Sequence, residues 1–254
     1  MKVKDVRRDM GEVVQRVSEP SIRTAAVGPW MHGSGWALAA LLAFPAPPFE
    51  VAMVKPTTIA LRPLGRASPS TLAAIASTIA AAFGASVVIG DVLSLPEAAR
   101  DSGRGQYLSP ALLDVLASAR RPEWDRLLGV ADVDLYVPDL NFVFGEADSR
   151  RGVAVFSLAR LHAGPDDEGA RLFLRRAATE AIHELGHTYG LGHCGDRRCV
   201  MWFSNTLAES DGKGTAFCPA HAAQLARTRA GAAVIGRLPA AQSSRTNVTS
   251  RFTW

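Results

Sequence analysis

The stretch HELGHTYGLGHCGDRRCVMWFSNTLAESDGKGTAFCPAH, from His183 to His221, constrains this chain most. It contains all three cysteines and four of the six histidines of a 254-residue sequence. A random scatter would not crowd them so, and their spacing reads as coordination chemistry. On a helix, residues four apart share a face, so His183 and His187 can aim their imidazoles at one ion. Glu184 projects beside that face and can reach a water on the metal without being a ligand. Gly190 lets the chain leave the helix through a tight turn, because glycine tolerates positive φ, and His193 can then swing back as third ligand. Three neutral imidazoles on zinc leave a fourth position for water, and zinc lowers the pKa of that water to about 7. A bare HExxH arises by chance; the extended H-E-x-x-H-x-x-G-x-x-H fixes five positions and makes chance a poor competitor.

A second constellation overlaps the first. Cys194 follows His193 directly, Cys199 comes after four intervening residues, and Cys218 and His221 form a C-x-x-H pair. Three thiolates and an imidazole make a closed tetrahedral set with no place for substrate, which is the character of a structural zinc site. Free buried cysteines are the competing reading, since thiols pack as small hydrophobes. A redox pair is also conceivable, although there is no C-x-x-C. Because His193 and Cys194 are neighbours, metal at one site would stiffen a ligand of the other. The expectation is therefore a zinc-dependent peptidase with two Zn2+ per chain, one catalytic and one structural.

The remaining composition sets bounds. The length suits one domain with a substantial core. No apolar run approaches the roughly 20 residues that cross a bilayer, so no membrane partner is expected. The net charge of +4 comes from dispersed arginines, among them Arg120-Arg121, Arg150-Arg151, Arg175-Arg176 and Arg197-Arg198. Such pairs read as solvated surface, and no basic stripe interleaved with aromatics points to nucleic acid. An odd cysteine count argues against a disulfide scaffold, and thiolate ligands are compatible with a reducing cytoplasm. With no convincing signal peptide, the expected location is cytoplasmic.

Along the chain, residues 1–52 read as a poorly ordered extension or a misassigned start, with Met53 as the preferred biological start. From Thr57 strand and helix signals alternate. TTIALRP reads as a strand, SPSTLAAIASTIAAAFG as a helix opened by Ser-Pro and closed by glycine, and SVVIGDV as a buried strand. Pro96 to Tyr107 reads as a polar loop. SPALLDVLASAR is a second helix, VDLYVP and NFVFG are short strands, and GVAVFSLARL is a longer one. A long helix from about Glu168 to Tyr189 carries the first constellation, and AAQLARTRAGAAVI could form a last helix. This alternation argues for a three-layer α/β domain over 53–235, followed by a loose tail over 236–254.

At these motifs the sequence resembles the archaemetzincins, a branch of the metzincin metallopeptidases. That family's pattern is H-E-x-x-H-x-x-G-x-x-H-C, four residues, C-x-M, a loop and C-x-x-C. Here it reads HELGHTYGLGHC, GDRR, CVM, the loop WFSNTLAESDGKGTAF, then CPAH. LRPLG, LPEAARDSGRGQYLS, DLYVPDLNFVFGEA and SLARL also look like the family, so the likeness runs from about Thr57 to about Leu225. It implies a metzincin-like fold: a twisted mixed sheet, a long active-site helix and a C-terminal Met-turn subdomain. It implies His183, His187 and His193 as catalytic zinc ligands, Glu184 as general base, and Cys194, Cys199 and Cys218 as ligands of the second zinc. Met201 matches the methionine of the turn beneath the metal, though spacing alone makes it a core residue. His221 stands where the family has its last cysteine, and the loop before Cys218 is one residue shorter. The family fold would place NFVFG at the sheet edge, where an extended peptide could add as a strand. A peptide or protein substrate and a monomeric state are expected. Two other readings compete: a two-zinc binding or scaffold protein with little or no peptidase activity, and a zinc-ribbon nucleic-acid module, disfavoured by Glu209 and Asp211 in the loop.

Overall fold

The computed structural model describes residues 56–235; the expectations for residues 1–52, the start at Met53 and the tail at 236–254 lie outside them. Its main sheet contains β1 (Thr58–Leu64), β2 (Ser86–Ile89), β5 (Arg126–Ala131), β7 (Gly145–Asp148) and β8 (Val153–Ser157), in the order β2-β1-β5-β8-β7. The first four neighbours run parallel, and β7 closes one edge antiparallel to β8. A smaller sheet joins β3 (Arg100–Asp101), β4 (Gln106–Leu108) and β6 (Leu135–Tyr136). The helices are α1 (Pro69–Phe83), α2 (Ser109–Ala119), α3 (Asp167–Thr188), α4 (Leu207–Gly212) and α5 (Pro219–Ile235).

The three layers follow from strand alternation. Successive side chains on a strand point to opposite faces. Ile59 and Leu61 of β1, Leu128 and Val130 of β5, and Ala154 and Phe156 of β8 face the core shared with α1 and α3. Ala60, Leu127, Ala131, Val153 and Val155 face the other way, into the core under α2. Both sheet faces are thus covered, as parallel strands require. Each fully buried Leu, Ile or Phe in these layers contributes about 1.5–3 kcal/mol.

Local chemistry sets the helix ends. Ser68 caps α1 by accepting from the Thr71 amide at 3.2 Å, and Asp166 caps α3 by accepting from Gly169 at 2.8 Å. The long metal-motif helix is present as expected, and so is the final helix. The mixed α/β fold with a mixed sheet and a long helix is the expected one.

Several expectations need correction. RLLGVA, which the pattern reading passes over, forms β5, the central strand; VDLYVP contributes only the two residues of β6 to the small sheet. SVVIGDV is not buried: β2 is the other sheet edge, with Val88, Ile89 and Val92 exposed. NFVFG is not a strand. Only Val143 bridges, to Leu135, and the edge strand is the following GEAD. Its acids escape an apolar pattern because they are buried with partners: Ser109 donates to Glu146, and Arg151 donates to Asp148 at 2.7 Å. The Pro96–Tyr107 loop holds a short 3-10 turn and two short strands. Arg176 is not solvated surface; it is buried in a two-pronged pair with Asp211, both contacts 2.7 Å.

Candidate metal centres

The C-terminal half of α3, from Arg176 to Thr188, is buried throughout. His183 and His187 sit there one helical turn apart. Each ring nitrogen Nδ1 lies against a backbone carbonyl, Val200 O at 2.7 Å for His183 and Leu191 O at 2.8 Å for His187. A carbonyl can only accept, so Nδ1 carries the proton and Nε2 presents its lone pair. The two Nε2 atoms face one another at 3.0 Å. Lone pairs so close repel unless a cation lies between them, and two nitrogens on a tetrahedral zinc stand roughly 3.3 Å apart. Burial pushes His187 down to about 3 and His183 well below its ordinary value, so both are held in the neutral form that can bind metal.

His193 completes the set. Gly190 takes φ 77°, the left-handed turn that redirects the chain after the helix. The His193 ring centroid comes within 5.0 Å of His187 and 5.7 Å of His183, and one ligand nitrogen from each residue lies within 4.8 Å of the others. His193 is exposed while its two partners are buried, so the cluster opens to solvent on that side.

Glu184 lies beside the cluster, fully buried, with neither carboxylate oxygen partnered. An orphaned carboxylate this deep is costly unless something at the site meets it. Burial, then the like charges of Glu180 and Glu146, raise its pKa well above the ordinary carboxylate value, against the pull of Lys213. The carboxylate rests on the backbone of Gly145, where a β-carbon would come 2.6–2.7 Å from Glu184 Cγ, Cδ and Oε1. Met201 packs against the helix at Gly186, where a β-carbon would meet its Sδ at 2.5 Å. The turn bearing Met201 is pinned by the Cys194 amide donating to Met201 O at 2.8 Å.

The second cluster forms as its spacing predicts. Cys194 and Cys218 sulfurs lie 3.8 Å apart, and His221 Nδ1 lies 3.3 Å from Cys218 and 3.7 Å from Cys199. A tetrahedral zinc with sulfur at 2.3 Å and nitrogen near 2.0–2.1 Å sets these separations at roughly 3.8 and 3.5 Å. They are far beyond a disulfide. Amides of Asp196 and Cys218 donate to the sulfurs of Cys194 and Cys199 at 3.4 and 3.3 Å, an arrangement that favours thiolates. The hydrogen bond from the His221 amide draws Cys218 down to about 6, while burial pushes Cys199 up to about 11. His221, in the first turn of α5, stands as the fourth candidate ligand of the cluster.

Spacing alone misses Glu180 and Lys213. They form a buried ion pair at 3.3 Å, their side chains 3% and 1% exposed, close to Glu184. Its two halves lie on α3 and in the loop after α4, so no local pattern marks it. A histidine and carboxylate census would have found Glu180 one turn before Glu184, but not its partner.

Comparison with known proteins points to one family. Residues 90–227 match the family model of Peptidase family M54. The archaemetzincin of Methanopyrus kandleri is 54% identical over 124 residues, covering 49% of this chain and 68% of that protein. The crystal structure of that organism's archaemetzincin superposes with a TM-score of 0.62 at 41% identity, covering 68% of this chain and 95% of the other. A structure described as a zinc-dependent peptidase from Methanocorpusculum labreanum superposes with a TM-score of 0.60 at 29% identity, covering 66% of this chain and 99% of the other.

Proposed function

The chain belongs to peptidase family M54, the archaemetzincins, and from that premise we propose that it is a zinc-dependent peptidase hydrolysing peptide bonds in peptide or protein substrates. The observation that carries this reading is the Glu184 carboxylate, buried and unpartnered beside three converging imidazoles. His183, His187 and His193 would hold the catalytic zinc, and Cys194, Cys199, Cys218 and His221 a second zinc of structural character. The neighbour called a zinc-dependent peptidase supports the same choice of metal. A zinc ion in the first site supplies Lewis acidity, polarising a carbonyl and bringing the ionisation of water near neutrality.

The protein's own groups do the rest. Glu184 accepts the proton of the attacking water. Its raised pKa makes the protonated carboxyl a competent intermediate state, and it returns the proton to the departing amine. The carbonyls of Val200 and Leu191 fix the two imidazole tautomers, so the ring nitrogens need not reorient. Gly145 keeps the carboxylate close by leaving room for it.

Replacing Glu184→Gln keeps size and removes the base. Zinc content measured by elemental analysis should stay unchanged, while peptide hydrolysis falls about 10²–10⁴-fold. Full activity in that variant would refute the assigned role. A wild-type protein holding both zincs and cleaving no peptide of a broad library would instead favour a scaffold of the same fold.

A further inference from the structure

Glu180 and Lys213 belong to neither ligand set, yet both are buried, and they meet at 3.3 Å one helical turn before Glu184. Taking two charges out of water is expensive, and a well-packed apolar pair often serves stability as well or better. Stability is thus a poor reason for the pair, and its surroundings point to another.

Lys213 is built into the turn that carries Met201. Its ammonium donates to Trp202 O, one residue beyond Met201, at 3.2 Å. The backbone after it runs along the same turn: the Gly214 amide donates to Arg198 O at 3.3 Å, and the Val200 amide donates to Ala216 O at 2.9 Å. Val200 in turn offers the carbonyl that orients His183, at 2.7 Å. On the other side, Ser210 donates to Glu180 Oε1 at 2.7 Å and holds the carboxylate in place. One ammonium therefore joins the helix of the candidate ligands to the turn that fixes one of their imidazoles.

A positive charge at this place also has a drawback, because it reaches the whole first centre. Burial, and then the Lys213 charge, lower the pKa of His183 and His193; burial lowers His187 most, with Lys213 acting in the same sense. A field that opposes a proton on these rings opposes a metal cation among them too. Glu180 supplies the opposite charge in direct contact with the ammonium.

Resting on the hydrolytic reading above, we propose that Glu180 and Lys213 are a positioning pair for the first metal centre. Lys213 clamps the Met201 turn to α3, and Glu180 cancels the charge of the clamp so that it does not repel the metal ion. The two residues have different tasks, so their losses have different consequences. Without the carboxylate, an uncompensated ammonium stands near the imidazoles and weakens metal binding. Without the ammonium, the remaining acid does not oppose a cation, but the turn is released.

The test uses the zinc-loaded full chain, dialysed against chelators of graded strength, with retained zinc counted by elemental analysis. A chromogenic disulfide reports on the thiol cluster, whose cysteines stay unreactive while they hold metal. Zinc lost with the thiols still protected therefore comes from the histidine centre. Glu180→Gln should hold that zinc about 10-fold or more weaker than wild type. Lys213→Met should hold it no weaker, while its kcat on a peptide substrate falls about 10-fold or more. Removing both charges in Glu180→Gln/Lys213→Met should return zinc affinity to within about 3-fold of wild type. Equal loss of zinc in the two single variants would reduce the pair to a plain structural brace and overturn the proposal. Unchanged zinc affinity in Glu180→Gln, or unchanged kcat in Lys213→Met, would overturn it too. Glu180→Gln keeps the shape of its side chain and decides the matter alone if Lys213→Met does not fold. The predicted order of zinc affinities with no peptide cleaved would uphold the pair's effect on the metal and sink the hydrolytic reading instead.

Discussion

Gly145 and Glu184 sit on different elements, yet the first sets the position of the second. A methyl group at Gly145 would come within 2.7 Å of the Glu184 side chain, which would have to shift to make room for it. Gly145→Ala should therefore displace the base by a fraction of an ångström and lower kcat at least 10-fold with zinc content retained, measured by steady-state kinetics beside elemental analysis. Residues of this kind were illegible in the sequence. The seven candidate ligands could be read because coordination along one helix and its following turn is a matter of short spacing. Gly145 and Lys213 acquire their roles only when remote segments close on α3, and no periodicity records that closure. His221 could be read as a ligand because imidazole serves zinc as thiolate does.

At the scale of elements, α4 is held to α3 by Arg176 and Asp211. Hydrogen bonds from Arg176 hold the Asp211 carboxyl below its ordinary pKa although burial acts the other way. A carboxylate depressed in the folded state stabilises above its unfolded pKa near 4 and loses that contribution as pH falls through the lower folded value. Asp211→Asn should cost about 2 kcal/mol near neutral pH, and the difference from wild type should vanish towards pH 2, as read by urea melts across the acid range. Elements with strong local signals, such as α1 with its Ser68 cap and α3 with its motif, were legible. The central strand β5 was not. Buried on both faces, RLLGVA shows no alternation, and the adjacent VDLYVP offers a better β-branched pattern while forming only two residues of a minor sheet. The β2 edge was misread for the opposite reason, because its valines and isoleucine suggest a burial that the sheet order denies.

Across the whole molecule, the thiol cluster ties the turn after α3 to the start of α5, and Arg229 of α5 donates to Thr57 Oγ1 at 2.8 Å and to Gly84 O at 3.4 Å. The last helix is thus tied at its start to the turn after α3 and, through Arg229, to the front of the domain. With zinc in the cluster, a strong chelator should lower the melting temperature by roughly 10 °C or more. The chelator-induced drop should shrink markedly in Cys199→Ser, as followed by calorimetry; equal drops in both proteins would show that the cluster does not contribute. The three-layer class was legible at this scale, since alternating strands and helices leave few other arrangements.

His193 and Cys194 are joined by a single peptide bond, so one imidazole aimed at the cleft and one sulfur of the neighbouring cluster cannot move independently. Peroxide reaching the sulfurs would loosen the loop that holds the exposed imidazole in place. The proposed hydrolysis would involve no sulfur atom in any bond made or broken, yet its rate would answer to the oxidation of those sulfurs.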